Sequence, residues 1–253
     1  MITRSAHNFN DFLCLSEAKG MFINMFDLRK TIGVWGDSVL KGVVFDEIRG
    51  TYQMLADNVG NLITQTLGLK IQNRSRFGST VEKGRQTLEQ SLQRGLDCEY
   101  VLLEYGGNDC DFNWQAVSDD PEGPHLPNTP ILLFKKQLQE MIDMLKDKQI
   151  KPILMSLPPI NAELYLDFIV SRGPVRERVM QFLGDLQQIY RFHEMYSLAV
   201  TGLALSNQCI YIPMRESFLA EKDSPTLLCL DGIHPNERGH QLMQRVFTEM
   251  ALA

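Results

Sequence analysis

No stretch of this 253-residue chain carries the roughly 20 consecutive apolar residues that a membrane-spanning helix needs. Arg4, Asn8, Asn10, Asp11 and Glu17 interrupt the apolar residues near the N-terminus, so the core of a secretory signal is missing too. Basic excess is also missing. Lys and Arg number 25 against 31 Asp and Glu, a formal net charge of -6, which argues against a nucleic-acid-binding face. Basic pairs such as Lys135-Lys136 sit among acidic residues, as on a solvated helix face. Cysteine is sparse: Cys14, Cys98, Cys110, Cys209 and Cys229 are odd in number, far apart and without C-x-x-C. That pattern fits reduced thiols and a cytoplasmic protein better than a disulfide framework or a zinc site. No His/Asp/Glu cluster has metal-ligand spacing, so neither a metal nor another cofactor is expected. Internal repeats and low-complexity linkers are absent as well, and one domain is the expectation.

What the chain has is an α/β alternation. Hydrophobic residues make up 44% and charged residues 22%, which is ordinary for a globular protein with a sizeable core. Residues 1–30 precede the first convincing strand and read as a loosely attached extension, with Met21 and Met25 as alternative starts. Apolar runs at Ile32–Trp35, Leu69–Asn73, Tyr100–Tyr105, Pro152–Leu157 and Cys209–Ile212 read as five buried strands. Val43–Tyr52 reads as a short hairpin or loop inserted beside Ser38. Helical periodicity follows near Asn58–Leu67, along Val81, Gly84, Leu88 and Leu92, and from Ile131 to Leu145. A long helical stretch is expected over about Val175–Leu205, and a last helix over Glu237–Met250. Continuous apolar strands between amphipathic helices predict a parallel sheet covered on both faces, an α/β/α sandwich over residues 31–253.

The candidate chemistry starts at Gly36-Asp37-Ser38, where the first strand breaks into a helix start. A serine there faces the sheet edge at which α/β folds bind ligands. The plainer alternative is an ordinary helix cap. A nucleophilic serine needs a base, a group to orient it and donors for an oxyanion. Among the histidines, His7 lies in the extension, His125 in a Pro/Gly-rich loop, His193 in a helical pattern and His240 in the last helix. His234 differs. Pro235 keeps it out of helical backbone, and Asp231 three residues earlier could fix its tautomer. Asp-x-x-His alone arises by chance in about a third of chains this long, so a plain surface loop remains the competing reading. Asn108, after Gly106-Gly107, and Gly78, after the second strand, could each aim a donor at the same point; alone, each is an unremarkable turn residue. All of these positions follow strands or precede the last helix, so a parallel sheet would gather them along one edge.

In order and spacing these blocks resemble the SGNH (GDSL) hydrolase superfamily. The matching residues are Ser38 in Gly36-Asp37-Ser38, Gly78 in Arg76-Phe77-Gly78-Ser79, Asn108 in Gly106-Gly107-Asn108-Asp109, and His234 in Asp231-Gly232-Ile233-His234. The likeness covers about residues 31–250, with Val39 where the longer motif has leucine; residues 1–30 and Val43–Tyr52 fall outside it. It implies a flavodoxin-like three-layer α/β/α sandwich with a mostly parallel five-stranded sheet. It also implies a serine ester hydrolase working through an acyl-enzyme. Ser38 would attack, His234 would act as base and then acid, and Asp231 would orient it. The Ser38 and Gly78 N–H groups and the Asn108 amide would form the oxyanion hole. Asp37, Asp111, Phe112, Pro159 and Tyr165 are expected to touch a small-molecule ester, with Trp114, Pro158, Asn161 and Phe168 bordering the crevice. His193, with Arg191 and Glu194, is expected to make helix-surface contacts. No long apolar lid is evident, which favours short acyl esters such as acetyl groups on carbohydrates. A lysophospholipase or thioesterase, and a non-catalytic ligand-binding relative, are the alternatives.

Overall fold

Strand β1, Thr31–Gly36, lies inside a five-stranded sheet because almost every residue in it is apolar and buried. It pairs in parallel with β4 (Lys70–Asn73) on one side and β5 (Tyr100–Glu104) on the other. β5 pairs in turn with β6 (Lys151–Met155), and β6 with β7 (Ile210–Ile212), all parallel, giving the order β4-β1-β5-β6-β7. The remaining strands, β2 (Val43–Asp46) and β3 (Thr51–Met54), form a separate antiparallel hairpin. This computed structural model describes residues 30–252. The expected extension over residues 1–30 lies outside the described residues, apart from Lys30.

Alternation along the strands supplies two core layers. Ile32, Val34, Tyr100, Leu102, Ile153 and Met155 face one layer, closed by α2 (Val59–Leu67), α9 (Met214–Ala220) and α10 (Glu237–Leu252). Trp35, Val101, Leu103 and Leu154 face the other, closed by α3 (Val81–Gln93), α5 (Ile131–Asp147) and α8 (Gln187–Ser206). Each fully buried Leu, Ile or Met is worth about 1.5–3 kcal/mol, so both faces of the sheet are strongly held. In strand-succession terms the sheet has the flavodoxin-like order. Its chain reversal falls between β1 and β5, and ligands bind outside the carboxyl ends of strands at such a point.

The helical stretch expected over Val175–Leu205 is in fact two helices, α7 (Arg176–Leu183) and α8. Gly184, at φ 69°, takes a backbone conformation that side-chain-bearing residues rarely adopt, and the helix ends there. Three shorter helices were not expected: α4 (Trp114–Asp119), α6 (Ala162–Val170) and α9. With α7 and the start of α8, α4 and α6 build a third apolar cluster around Phe112, Trp114, Tyr165 and Ile189. That cluster stands beyond the carboxyl edge of the sheet and walls the crevice.

Candidate active site

Ser38 opens the one-turn helix α1 (Ser38–Lys41) directly after β1. Asp37, not Ser38, is the cap: its Oδ1 accepts from the Val39 N–H at 2.8 Å. The serine hydroxyl is thereby left free of a capping duty. Its Oγ stands 2.7 Å from His234 Nε2, and His234 Nδ1 stands 2.6 Å from Asp231 Oδ2. A carboxylate only accepts, so Nδ1 carries the proton and Nε2 accepts from the serine O–H. Asp231 also turns the loop, its Oδ1 accepting from the His234 N–H at 3.1 Å and the Ile233 N–H at 3.2 Å. Asp231 is fully buried and His234 nearly so, which shields the chain of bonds from water.

The loop is pinned to the rest of the fold. The Gly232 carbonyl accepts from the Asn161 N–H at 2.8 Å. Gly232 has φ 75°, and a Cβ there would stand 2.6 Å from the Tyr165 backbone nitrogen. Only glycine lets the base loop lie this close to the start of α6.

Asn108 follows β5 and reaches back to the serine loop, its Nδ2 donating to Asp37 Oδ2 at 2.8 Å. An amide nitrogen has two N–H groups, so one remains for a ligand. Behind Asp37 sits Glu104, brought there by the register that sets Gly36 beside Glu104. Its Oε2 accepts from the Asp37 N–H at 3.3 Å. Burial, and then the Asp37 charge, push Glu104 well above the usual carboxylate range, so Glu104 holds a proton between the two side chains. Burial raises Asp37 as well, while the Val39 N–H pulls it back down. Asp109 is buried too, and is pushed up to about 6 by that burial; it accepts from the Val81 N–H at the start of α3.

A cavity of about 250 Å³ opens beside Ser38. Of the residues expected there, Asp37, Ser38, Asn108, Asp111, Phe112, Tyr165 and His234 line it, as do Trp114 and Phe168. Asp111 is held by the Trp114 Nε1–H at 2.7 Å, and burial raises its carboxyl. Asn161 instead caps α6, accepting from Glu163 and Leu164. Gly78 has φ 64° at the end of its loop and is not part of the cavity wall.

Two expectations are corrected. Pro159 is buried away from the cavity, whereas Pro158, also expected at the crevice, lines it. A residue before proline is held extended, and successive side chains of extended backbone point to opposite sides. His193 does not make surface contacts: it is 5% exposed, lines the cavity, and sets Nδ1 3.2 Å from Arg215 Nη1. Its neighbour Arg191 does lie at the surface, paired with Asp185, while the partly exposed Glu194 pairs with Arg215.

Sequence reading missed three contributors. The Tyr52 ring meets His234 edge-on at 5.1 Å, and Phe77 stacks on it at 6.4 Å with planes 10° apart. Burial and the Asp231 charge raise the Tyr52 hydroxyl above its ordinary value. Nothing local in Val43–Tyr52 signals that contact. Glu104 did leave a signal, as the lone charge in an otherwise apolar strand.

A buried Ser-His-Asp chain at the switch point of a flavodoxin-like sheet is the arrangement of a serine hydrolase. The family model described as GDSL-like Lipase/Acylhydrolase matches residues 34–242, and the chain belongs to that family of carboxylic ester hydrolases. Solved structures share the fold. LAE5, an alpha/beta hydrolase from the metagenome of Lake Arreo, is 19% identical with a TM-score of 0.62, over 90% of this chain and 98% of its own. A catalytic mutant of Axe2, an acetylxylan esterase from Geobacillus stearothermophilus, is 16% identical with a TM-score of 0.59, over 88% and 94%. The lipase/acylhydrolase from Enterococcus faecalis is 14% identical with a TM-score of 0.59, over 88% and 95%. No curated protein matches the chain at the sequence level. Among the described residues, no helix is long and apolar enough to cross a membrane, and no group of three His, Cys, Asp or Glu could hold a metal ion.

Proposed function

We propose that this chain hydrolyses short-acyl carboxylic esters, acetyl esters of carbohydrates foremost, through an acyl-enzyme on Ser38. The observation that carries the reading is the unbroken chain from Ser38 Oγ through His234 to Asp231, at 2.7 and 2.6 Å. Ser38 Oγ adds to the ester carbonyl as its proton passes to His234 Nε2. The ester C–O bond then breaks, and the alcohol leaves with that proton. Water, deprotonated by His234, releases the acid and returns the proton to Ser38. Asp231 orients the imidazole and offsets its charge while it is protonated. The free N–H of the Asn108 amide and the Ser38 N–H receive the oxyanion.

The short-acyl preference rests on cavity size. About 250 Å³ lies below the roughly 300–1,000 Å³ of sites for drug-sized ligands. The acetylxylan esterase among the fold relatives supports a carbohydrate acetyl ester. The same reading takes residues 31–253 as one hydrolase domain, supported by the five strands β1 and β4 to β7, which span Thr31 to Ile212 in a single sheet. A cytoplasmic setting is supported by the free thiols of Cys98, Cys110, Cys209 and Cys229.

Initial rates on p-nitrophenyl acetate, butyrate, octanoate and palmitate, with wild type and Ser38→Ala, test the proposal. Rates that fall with chain length and vanish in Ser38→Ala are expected. A preference for palmitate would favour the lysophospholipase or thioesterase alternative, and hydrolysis that survives Ser38→Ala would overturn the mechanism.

A further inference from the structure

The cavity runs past the candidate triad to a second polar feature that the acyl-transfer chemistry does not use. His193, on α8, is nearly enclosed, and its neighbours on the cavity wall include Ile189 and Phe192 from the same helix, with Phe112 and Leu157. Its Nδ1 lies 3.2 Å from Arg215 Nη1. Arg215 is itself fixed: it is 4% exposed, its Nη1 also donates to the Leu157 carbonyl at 3.3 Å, and its guanidinium pairs with Glu194. Its Cζ also lies 4.8 Å from the centre of the Tyr190 ring.

A guanidinium has only donors to offer. His193 Nδ1 must therefore accept, and the proton of the neutral ring sits on Nε2. Burial, and then the Arg215 charge, hold His193 down to about 3, so the ring stays neutral across the range in which proteins work. Nε2 has no hydrogen-bond partner among the described residues, nor is it among the enclosed polar atoms left unpaired. It is a donor open to the cavity. A buried donor without a partner is costly, so an occupant that supplies an acceptor gains over one that does not.

We propose that His193 is a specificity-determining residue whose Nε2–H binds an uncharged oxygen of the ester, remote from the reacting carbonyl. The occupant is neutral because Asp37 and Asp111 share the same wall and disfavour an anion. The oxygen is a hydroxyl, ether or carbonyl, carried by either the acyl chain or the alcohol. Arg215 acts through His193, as a positioning residue that fixes the tautomer. The inference deepens the ester-hydrolase reading and rests on it for the identity of the ligand.

The test uses two pairs of substrates in wild type, His193→Phe and His193→Gln. The acyl pair is p-nitrophenyl β-hydroxybutyrate and butyrate; the alcohol pair is a monoacetylated methyl xyloside and cyclohexyl acetate. The readout is the ratio of kcat/KM within each pair, which cancels any loss of folded protein. In one pair, whichever carries the oxygen that is read, His193→Phe should lower the ratio about tenfold, as expected for the loss of a buried hydrogen bond. His193→Gln keeps an N–H near the Nε2 position and should retain most of it. Ratios in both pairs that stay within about twofold of wild type in His193→Phe would overturn the proposal. Nitrogen NMR of the wild-type protein at neutral pH supplies a test without a variant: Nε2 should carry the proton, and an Nδ1-protonated ring would overturn it. Calorimetric binding of the same esters to Ser38→Ala, with and without His193→Phe, separates the two readings. Selective binding lost with His193 would stand even if wild-type turnover were absent.

Discussion

Asn108 is the residue on which local chemistry and long-range structure meet. One N–H of its side-chain amide is held by Asp37, across 71 positions of sequence, and the other stays free. Replacing it by alanine should lower kcat by about 10²–10³-fold, the usual weight of one oxyanion donor. Steady-state kinetics on p-nitrophenyl acetate would show this, and an unchanged kcat would remove Asn108 from the oxyanion hole. Glu104 makes a different prediction, because its proton serves Asp37. Glu104→Gln keeps a donor in that position. Glu104→Leu leaves Asp37 buried without one and should cost about 1–3 kcal/mol more in urea unfolding. Equal losses in the two variants would mean that Glu104 is not the proton holder. Ser38, Asn108, Asp231 and His234 were legible because each sits in a short motif with its own turn chemistry. What Glu104 and His193 do was not legible, though Glu104 stands out as the lone charge of its strand. Their partners, Asp37 and Arg215, arrive through sheet register and helix packing, which no local pattern encodes.

Among the elements, the β2–β3 hairpin adds most to the site beyond the family's motif blocks. Tyr52 meets His234, Phe45 meets Tyr52 at 5.4 Å, and Phe168 meets Phe45 at 5.4 Å, so an aromatic cluster roofs the imidazole. Arg172 fastens it, its Cζ 4.8 Å from the Phe168 ring centre and its Nη2 3.4 Å from the Gly50 carbonyl. An aromatic pair is worth about 0.5–1.5 kcal/mol, so Tyr52→Ala should lower kcat/KM about 2–12-fold, with Tyr52→Phe losing less. A Tyr52→Ala enzyme as fast as wild type would show that the hairpin does not support the base. The hairpin itself was legible from its β-branched and aromatic Val-Val-Phe and Thr-Tyr runs; its seat over His234 was not. Helix boundaries on the far wall were the other loss. The apolar periodicity runs on from α7 into α8, and only Gly184 marks the break.

Across the whole molecule, the parallel sheet and its cover on both faces were readable, because strands buried on two faces must be continuous apolar runs. The mature fold also buries histidines in neutral form, and that has a pH signature. His240 lies in the first turn of α10, where its Nδ1 accepts from the Val59 N–H at 3.3 Å. Burial, followed by the His234 charge, lowers it from 6.5 to about 4. As pH falls below 6.5 the unfolded chain takes up this proton and the folded chain does not until about 4, so stability drops through that window. Between about pH 7 and pH 5 the group should account for about 2 kcal/mol of lost stability. His240→Asn keeps an acceptor near Nδ1 but cannot titrate. Urea unfolding should show wild type losing that much more than the variant on acidification, while the buried carboxyls cancel in the comparison. Equal losses would mean that His240 is not held neutral. The central claim, that Ser38 carries an acyl group, is tested most directly by mixing the enzyme rapidly with p-nitrophenyl acetate. The account predicts a burst of nitrophenolate equal to the enzyme concentration, and an acetyl group on the quenched peptide that contains Ser38. Hydrolysis without a burst, with that peptide unmodified after the quench and turnover preserved in Ser38→Ala, would contradict it.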